Sequence, residues 1–201
     1  MNDLIQQLAL AGGLAWASGV RLYAVVFLAG LAQRFGWVAL PDALHPLAHD
    51  WVLAASGVML VAEFLADKIP GFDSIWDAIH TFIRVPAGAL LAAGAFGDQG
   101  TAAALAAGLV GGTITAGSHL TKAGTRVAIN HSPEPFSNWI ASSIEDIAAP
   151  SIAWIAWTAP MLLLALLGIF LLIALWLLPK LLRVLRAVLR TARGLFGAPQ
   201  P

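Results

Sequence analysis

The chain has 201 residues, 59% of them hydrophobic and 11% charged, with no cysteine and a formal net charge of zero. Soluble domains carry about 25% charged residues, so a water-soluble globule of this length could not cover so much apolar surface. Disulfides, thiolate metal sites and cysteine nucleophiles are excluded.

Each long apolar run predicts a helix, because about 20 residues are needed to span the hydrocarbon and backbone groups in lipid must be satisfied internally. The first span is expected over 4–31. Residues 1–7 lack the basic stretch that opens a cleaved leader, so this span is expected to be retained. A proline-containing loop, 36–50, leads to a second span over 51–66. The Ile69-Pro70-Gly71 turn separates it from a third over 74–97, and Gly97-Asp98-Gln99-Gly100 joins that to a fourth over 101–127. Gly, Pro and Asn in these joints fit turn chemistry. A last span is expected over 154–178.

The predicted fold class is thus all-α, a polytopic transmembrane bundle of five spans. A sixth is added if residues 138–157, broken at Pro150 and followed by Pro160, cross the bilayer instead of forming an outer or re-entrant segment. Pro70, Ser74, Trp76 and Ala78 recur in order as Pro133, Ser137, Trp139 and Ala141, and Gly12-Gly13 with Ala17 echoes Gly111-Gly112 with Ala116. These are the traces expected of an internal repeat, on which many transporters are built. Most of the eight tryptophans read as interface anchors.

Two regions are expected, a helical membrane domain over 1–178 and a basic tail over 179–201. The tail holds Lys180, Arg183, Arg186, Arg190 and Arg193, spaced to form an amphipathic helix on an anionic leaflet. By the positive-inside bias, its charges and Arg34 place the C-terminus in the cytoplasm of a multi-pass inner (plasma) membrane protein.

Asp73, Asp77, His80 and Arg84 share one helical face, and His119, Lys122, Arg126 and Asn130 repeat the stripe. The tight turn between the two helices makes them an antiparallel hairpin. Matching depth then pairs His80 with His119, Asp77 with Lys122, and Asp73 with Arg126. At about 1.5 Å rise per residue, Arg21, Glu63 and Arg84 arrive near mid-membrane, where an unpaired charge costs from about 2.5 to more than 10 kcal/mol. They are expected to meet there, and two arginines against one glutamate leave a spare positive charge.

The expected substrate-binding set is Arg21, Glu63, Arg84, His80, His119 and Lys122, with His80 and His119 lining the entry. An outer vestibule is expected from Asp67, Lys68, Asp73, Asp77, Arg126, Asn130, Glu134, Asn138, Glu145 and Asp146. Arginine suits bidentate grip on carboxylate or phosphate, so the leading reading is a pathway or binding site for a small anionic solute or a lipid phosphate. One alternative is a membrane-embedded enzyme acting on a lipid-linked phosphate, with His80 or His119 as acid, base or nucleophile. Another is a scaffold subunit in which every charge is a structural ion pair.

Asp77, His80, His119 and Glu145 are of types that ligate Zn, Mn or Fe, but no HExxH pattern is present. Ser142 and Ser143 lack a G-x-S-x-G setting. No metal or other cofactor is expected, and catalysis is the weaker reading. The expected partners are the bilayer and, at the tail, anionic lipid. Gly- and Ala-rich helix faces permit a homo-oligomer, and nothing calls for nucleic acid.

Several blocks are distinctive: Ser18-Gly19-Val20-Arg21-Leu22-Tyr23, Glu63-Phe64-Leu65-Ala66-Asp67-Lys68-Ile69-Pro70, Asp73-Ser74-Ile75-Trp76-Asp77, His80-Thr81-Phe82-Ile83-Arg84, and Asn130-His131-Ser132-Pro133-Glu134-Pro135-Phe136-Ser137-Asn138. Across about residues 5–178 the chain resembles a bacterial membrane family catalogued as domain of unknown function 4126. The resemblance implies a multi-span membrane protein and carries no activity.

Overall fold

The computed structural model describes residues 2–129 and 136–176. The basic tail with Lys180, Arg183, Arg186, Arg190 and Arg193, and the candidate residues Asn130 and Glu134, lie outside the described residues.

All regular structure among the described residues is helical. It comprises α1 (Asn2–Arg34), α2 (Asp50–Ala66), α3 (Phe72–Ala95), α4 (Thr101–Ile129) and α5 (Phe136–Thr158), then a shorter apolar helix, α6 (Pro160–Trp176). Short 3-10 turns occupy Asp42–Ala48 and Gly97–Gln99.

Five full spans are not found among the described residues, by length and composition. Three helices, α1 (from Leu4), α3 and α4, are long and apolar enough to cross a membrane, and the 3-10 turn before α2 makes a fourth with it if that pair, bent by 66°, counts as one span. The expected break at Pro150 is absent, since α5 runs through it. The chain breaks instead at Ala159, next to Pro160. Pro160 has no N–H for the carbonyl of Ala156, and Gln6 Nε2 from α1 donates to that carbonyl at 2.9 Å.

The chain divides into two compact units, Met1–Leu164 and Ala165–Pro201. The described part of the second is the remainder of α6. The first holds α1 to α5, in which α3 and α4 form the expected antiparallel hairpin and α1 packs on α3, α4 and α5.

Small residues set how close these helices come. A Cβ on Gly88 would run into the Thr115 side chain, and one on Gly111 into Ala92. Gly71, at φ +83, makes the turn into α3 in a conformation that other residues adopt only with strain.

Burial is inverted relative to a water-soluble protein. Phe82 is 83% and Leu109 77% exposed, whereas Arg21, Glu63, Arg84 and Arg126 are at most 1% exposed. An apolar exterior around a charged interior suits hydrocarbon as the surrounding solvent. The apolar helices and this burial make the chain a membrane protein.

Candidate functional site

The first span is not continuous. Arg21, in the middle of α1, has φ −144° and ψ 73°, although neither proline nor glycine occupies the position. Such a break leaves carbonyls without their helical partners, which is tolerable at membrane depth only inside protein.

Side chains on one face of α4 meet carbonyls of α1 at the break and in the turns before it. Thr115 Oγ1 donates to Ala15 O at 2.8 Å, Ser118 Oγ to Trp16 O at 2.8 Å, and Lys122 Nζ to Val20 O at 3.3 Å. Gly19 permits the approach, because a Cβ there would collide with the Ser118 hydroxyl.

The two ends of the Arg21 guanidinium hold different acids. Nη1 lies 2.7 Å from Asp67 Oδ2 and Nη2 lies 2.7 Å from Asp146 Oδ1, with Ser142 Oγ accepting from Nη2 at 3.1 Å. Toward Glu63, Arg21 reaches only the main-chain oxygen, at 3.5 Å.

Arg84 is the partner of Glu63. Its Nη2 meets Glu63 Oε1 at 2.6 Å and its Nη1 meets Asp77 Oδ1 at 2.8 Å. The second Nη1 hydrogen points to His119 Nδ1 at 3.1 Å. Thr81 Oγ1 lies 2.9 Å from Asp77 O and 2.7 Å from His119 Nε2, and its one proton serves either. With the proton of a neutral His119 on Nε2, Nδ1 accepts from Arg84; with it on Nδ1, the ring donates to Gly19 O, 3.3 Å away.

Lys122 bridges Asp67 Oδ2 at 2.7 Å and Asp77 Oδ1 at 3.2 Å. Arg126 grips Glu145 with two nitrogens, Nε at 3.2 Å and Nη2 at 2.7 Å. Its Nη1 donates to Asn138 Oδ1 at 2.9 Å and lies 3.8 Å from Asp73. Asn138 Nδ2 in turn donates to Asp73 Oδ2 at 2.8 Å. Lys68, half-buried, holds Asp146 at 3.1 Å.

The depth-matched pairs Asp77–Lys122 and Asp73–Arg126 therefore form as expected from the hairpin. His80 and His119 do not pair: His80 stacks on the Trp76 ring, centroids 4.1 Å apart, and sits edge-on to Tyr23. Nor is a separate vestibule set off by burial. Asp67, Asp73, Asp77, Arg126 and Asn138 are as buried as Arg21, Glu63 and Arg84, and all belong to one network. Only Lys68, Glu145 and Asp146 have partly exposed side chains.

The spare positive charge is also absent. Carboxylates from Glu63, Asp67, Asp73, Asp77, Glu145 and Asp146 face cations from Arg21, Lys68, Arg84, Lys122 and Arg126, so the described network has one more acid than base. Three of its carboxylate oxygens, Glu63 Oε2, Asp67 Oδ1 and Asp77 Oδ2, are buried without a hydrogen-bond partner among the described residues, as are Arg21 Nε and Arg84 Nε. At Asp67, in the turn after α2, burial alone would push the carboxyl up. Lys122, Arg21 and Arg126 outweigh it and hold the group below the usual carboxylate range.

Sequence reasoning did not find the roles of Thr81, Thr115 and Ser118, nor that of Ser142 as a partner of Arg21. For Thr115 and Ser118 a signal exists: with His119 and Lys122 they make a polar stripe at helical spacing. Among the described residues no group of three or more His, Asp or Glu is placed to hold a metal ion.

Residues 8–180 match the family described as Domain of unknown function (DUF4126). No curated protein and no solved structure matches the chain. The match covers most of the sequence, and the protein belongs to that family.

Proposed function

We propose that the protein provides a pathway across the bilayer for a small anionic solute or a lipid phosphate. Arg21 and Arg84 hold the anion, Glu63 balances it, and Lys122, His119 and His80 line the approach. Asp67, Lys68, Asp73, Asp77, Arg126, Asn138, Glu145 and Asp146 form the surrounding ring of charge through which the solute is exchanged.

The carrying observation is the break in α1 at Arg21, set in the middle of a buried ion network. Buried ion pairs are weak contributors to stability, and apolar replacements of similar volume often do as well or better. A network of this size together with an interrupted span is costly as packing alone. It is the arrangement expected where a charged solute is bound at depth by discontinuous helices. An arriving anion competes with Asp67, Asp146, Glu63 and Asp77 for the guanidinium groups.

The enzyme reading has less support. Both ring nitrogens of His119 are engaged, and His80 is stacked and bonded through Nδ1 to Trp76 O. In the same proposal the protein lies in the inner membrane with its C-terminus in the cytoplasm and its tail on anionic lipid, and its Gly/Ala helix faces allow self-association.

The test is thermal unfolding of the purified full chain in neutral-lipid nanodiscs with sulfate, inorganic phosphate, acetate or chloride, and separately with phosphatidic acid in the disc. A ligand at about 100 times its Kd adds about 2.7 kcal/mol. An anion that stabilises the wild type but neither Arg21→Gln nor Arg84→Gln supports the reading. Soluble phosphate and phosphatidic acid separate a free solute from a lipid. Stabilisation by none of them favours the scaffold reading.

A further inference from the structure

Glu63 lies in the last turn of α2 with no exposed surface. Asp67 is met by Arg21, Lys122 and Arg126, and Asp77 by Arg84 and Lys122. Among the described residues Glu63 makes an ion pair with Arg84 alone, through Oε1, and its Oε2 has no hydrogen-bond partner. The charges and titratable groups around it are Arg21 and Tyr23 on α1, Arg84 on α3, Lys122 on α4 and Asp67 in the following turn. Asp77 and His119 reach it through Arg84, and Glu145 and Asp146 of α5 reach it through Arg21.

Arg84 is held asymmetrically. Its Nη1 faces Asp77 at 2.8 Å and His119 at 3.1 Å. Its Nε is unpartnered, and its Nη2 is occupied by Glu63. Nε and Nη2 share one edge of the guanidinium plane, the edge that grips carboxylate or phosphate oxygens in pairs. Glu63 is the group that keeps this edge from an anion.

We propose that Glu63 is a proton-binding switch that releases the Nε–Nη2 edge of Arg84 to an anionic oxygen ligand, so that anion and proton bind together. The step rests on the pathway reading above for the anion, but not for the proton. A proton from water forms an O–H bond at Oε2, and the negative charge of the carboxylate is lost. The surplus acid in the network is thereby neutralised. An anion arriving on Arg84 then meets a network that has lost one negative charge, so the bound proton favours the bound anion.

The experiment uses full-length protein in nanodiscs and has two readouts. Infrared difference spectra between about pH 5 and pH 9 follow the protonated-carboxyl carbonyl band, a range that covers neutral protein sites. Calorimetry follows sulfate, whose own charge is constant over that range. The expected result is a carbonyl band that appears on acidification in the wild type and is missing from Glu63→Gln. Sulfate affinity should weaken about tenfold per pH unit above the band's midpoint, and should stay flat, at the acid wild-type level, in Glu63→Gln.

Identical bands in wild type and Glu63→Gln overturn the proton site and leave the pathway reading standing. An equal pH dependence of sulfate binding in the two overturns the coupling. A titrating Glu63 band with no sulfate binding at any pH overturns the release of Arg84 to an anion, and if the wider anion panel also fails, the pathway reading falls while the proton site survives. If Glu63→Gln does not fold, Glu63→Asp keeps the carboxyl, and an unmoved midpoint in that variant overturns the assignment.

Discussion

The α3–α4 hairpin is one element with two chemistries. Toward the Gly97–Gln99 turn it buries Gly88, Leu91, Ala92, Ala95 and Gly111, which are small or apolar, and Gly88 and Gly111 leave no room for a Cβ. Away from the turn the same two helices carry Asp73, Asp77, His80, Arg84, Ser118, His119, Lys122 and Arg126, every one of them buried. Close packing needs no charge, and the first half shows that this sequence can join two helices without any. The ionic half is the part to which the proposed function is given.

The largest effect that separates the halves is expected at Arg84. Arg84→Leu leaves Glu63 and Asp77 buried without their guanidinium and should lower stability by about 3–5 kcal/mol. Adding Glu63→Leu should recover a substantial part of that loss, read as the coupling term of a double-mutant cycle in reversible unfolding. Additive losses would mean that the two residues are not a unit.

A smaller loss is expected at the packed half. Gly111→Val overpacks the contact with Ala92 and should cost about 1–3 kcal/mol, while the variant that remains folded still responds to the anion that stabilises the wild type. Loss of that response from Gly111→Val would erase the functional distinction between the halves.

The smallest effect is a pH dependence at Asp67. Its carboxyl is held low when folded, chiefly against its own burial, by Lys122, Arg21 and Arg126. Its contribution to stability is therefore fully present above the ordinary carboxyl range, about pH 4, and is lost as pH falls through the folded value. The melting temperature of the wild type should drop more steeply on acidification below about pH 4 than that of Asp67→Asn. Parallel curves would show that Asp67 does not carry the effect.

Much of the ionic half was legible in the sequence. The spacing of Asp73, Asp77, His80 and Arg84 fixes one face, and the tight turn fixes which residues of α4 lie opposite, so Asp77–Lys122 and Asp73–Arg126 follow from local rules. Partners that cross between other helices do not follow. Arg21 takes Asp67 and Asp146, because crossing geometry, not depth alone, decides which acids a long side chain reaches. The charge balance read from Arg21, Glu63 and Arg84 inverted once those acids joined.

The break in α1 has no signal at its own position. What faces it comes from α4, where Lys122 meets Val20 O beside the break and Thr115 and Ser118 meet Ala15 O and Trp16 O before it. Pro150 misled in the opposite sense, since a proline inside a helix removes one hydrogen bond without ending it when tertiary packing holds both sides. Composition likewise marks the apolar stretch over 138–178 without marking Ala159 as the place where α5 and α6 part.

The most direct measurement is uptake of labelled phosphate into liposomes containing the full-length protein, driven by an acid-outside pH gradient, for wild type and Glu63→Gln. Wild type is expected to accumulate phosphate above its external concentration, and Glu63→Gln to equilibrate it without accumulation. Equal accumulation by both, or none by the wild type, would contradict proton-linked anion movement through the Arg84 site.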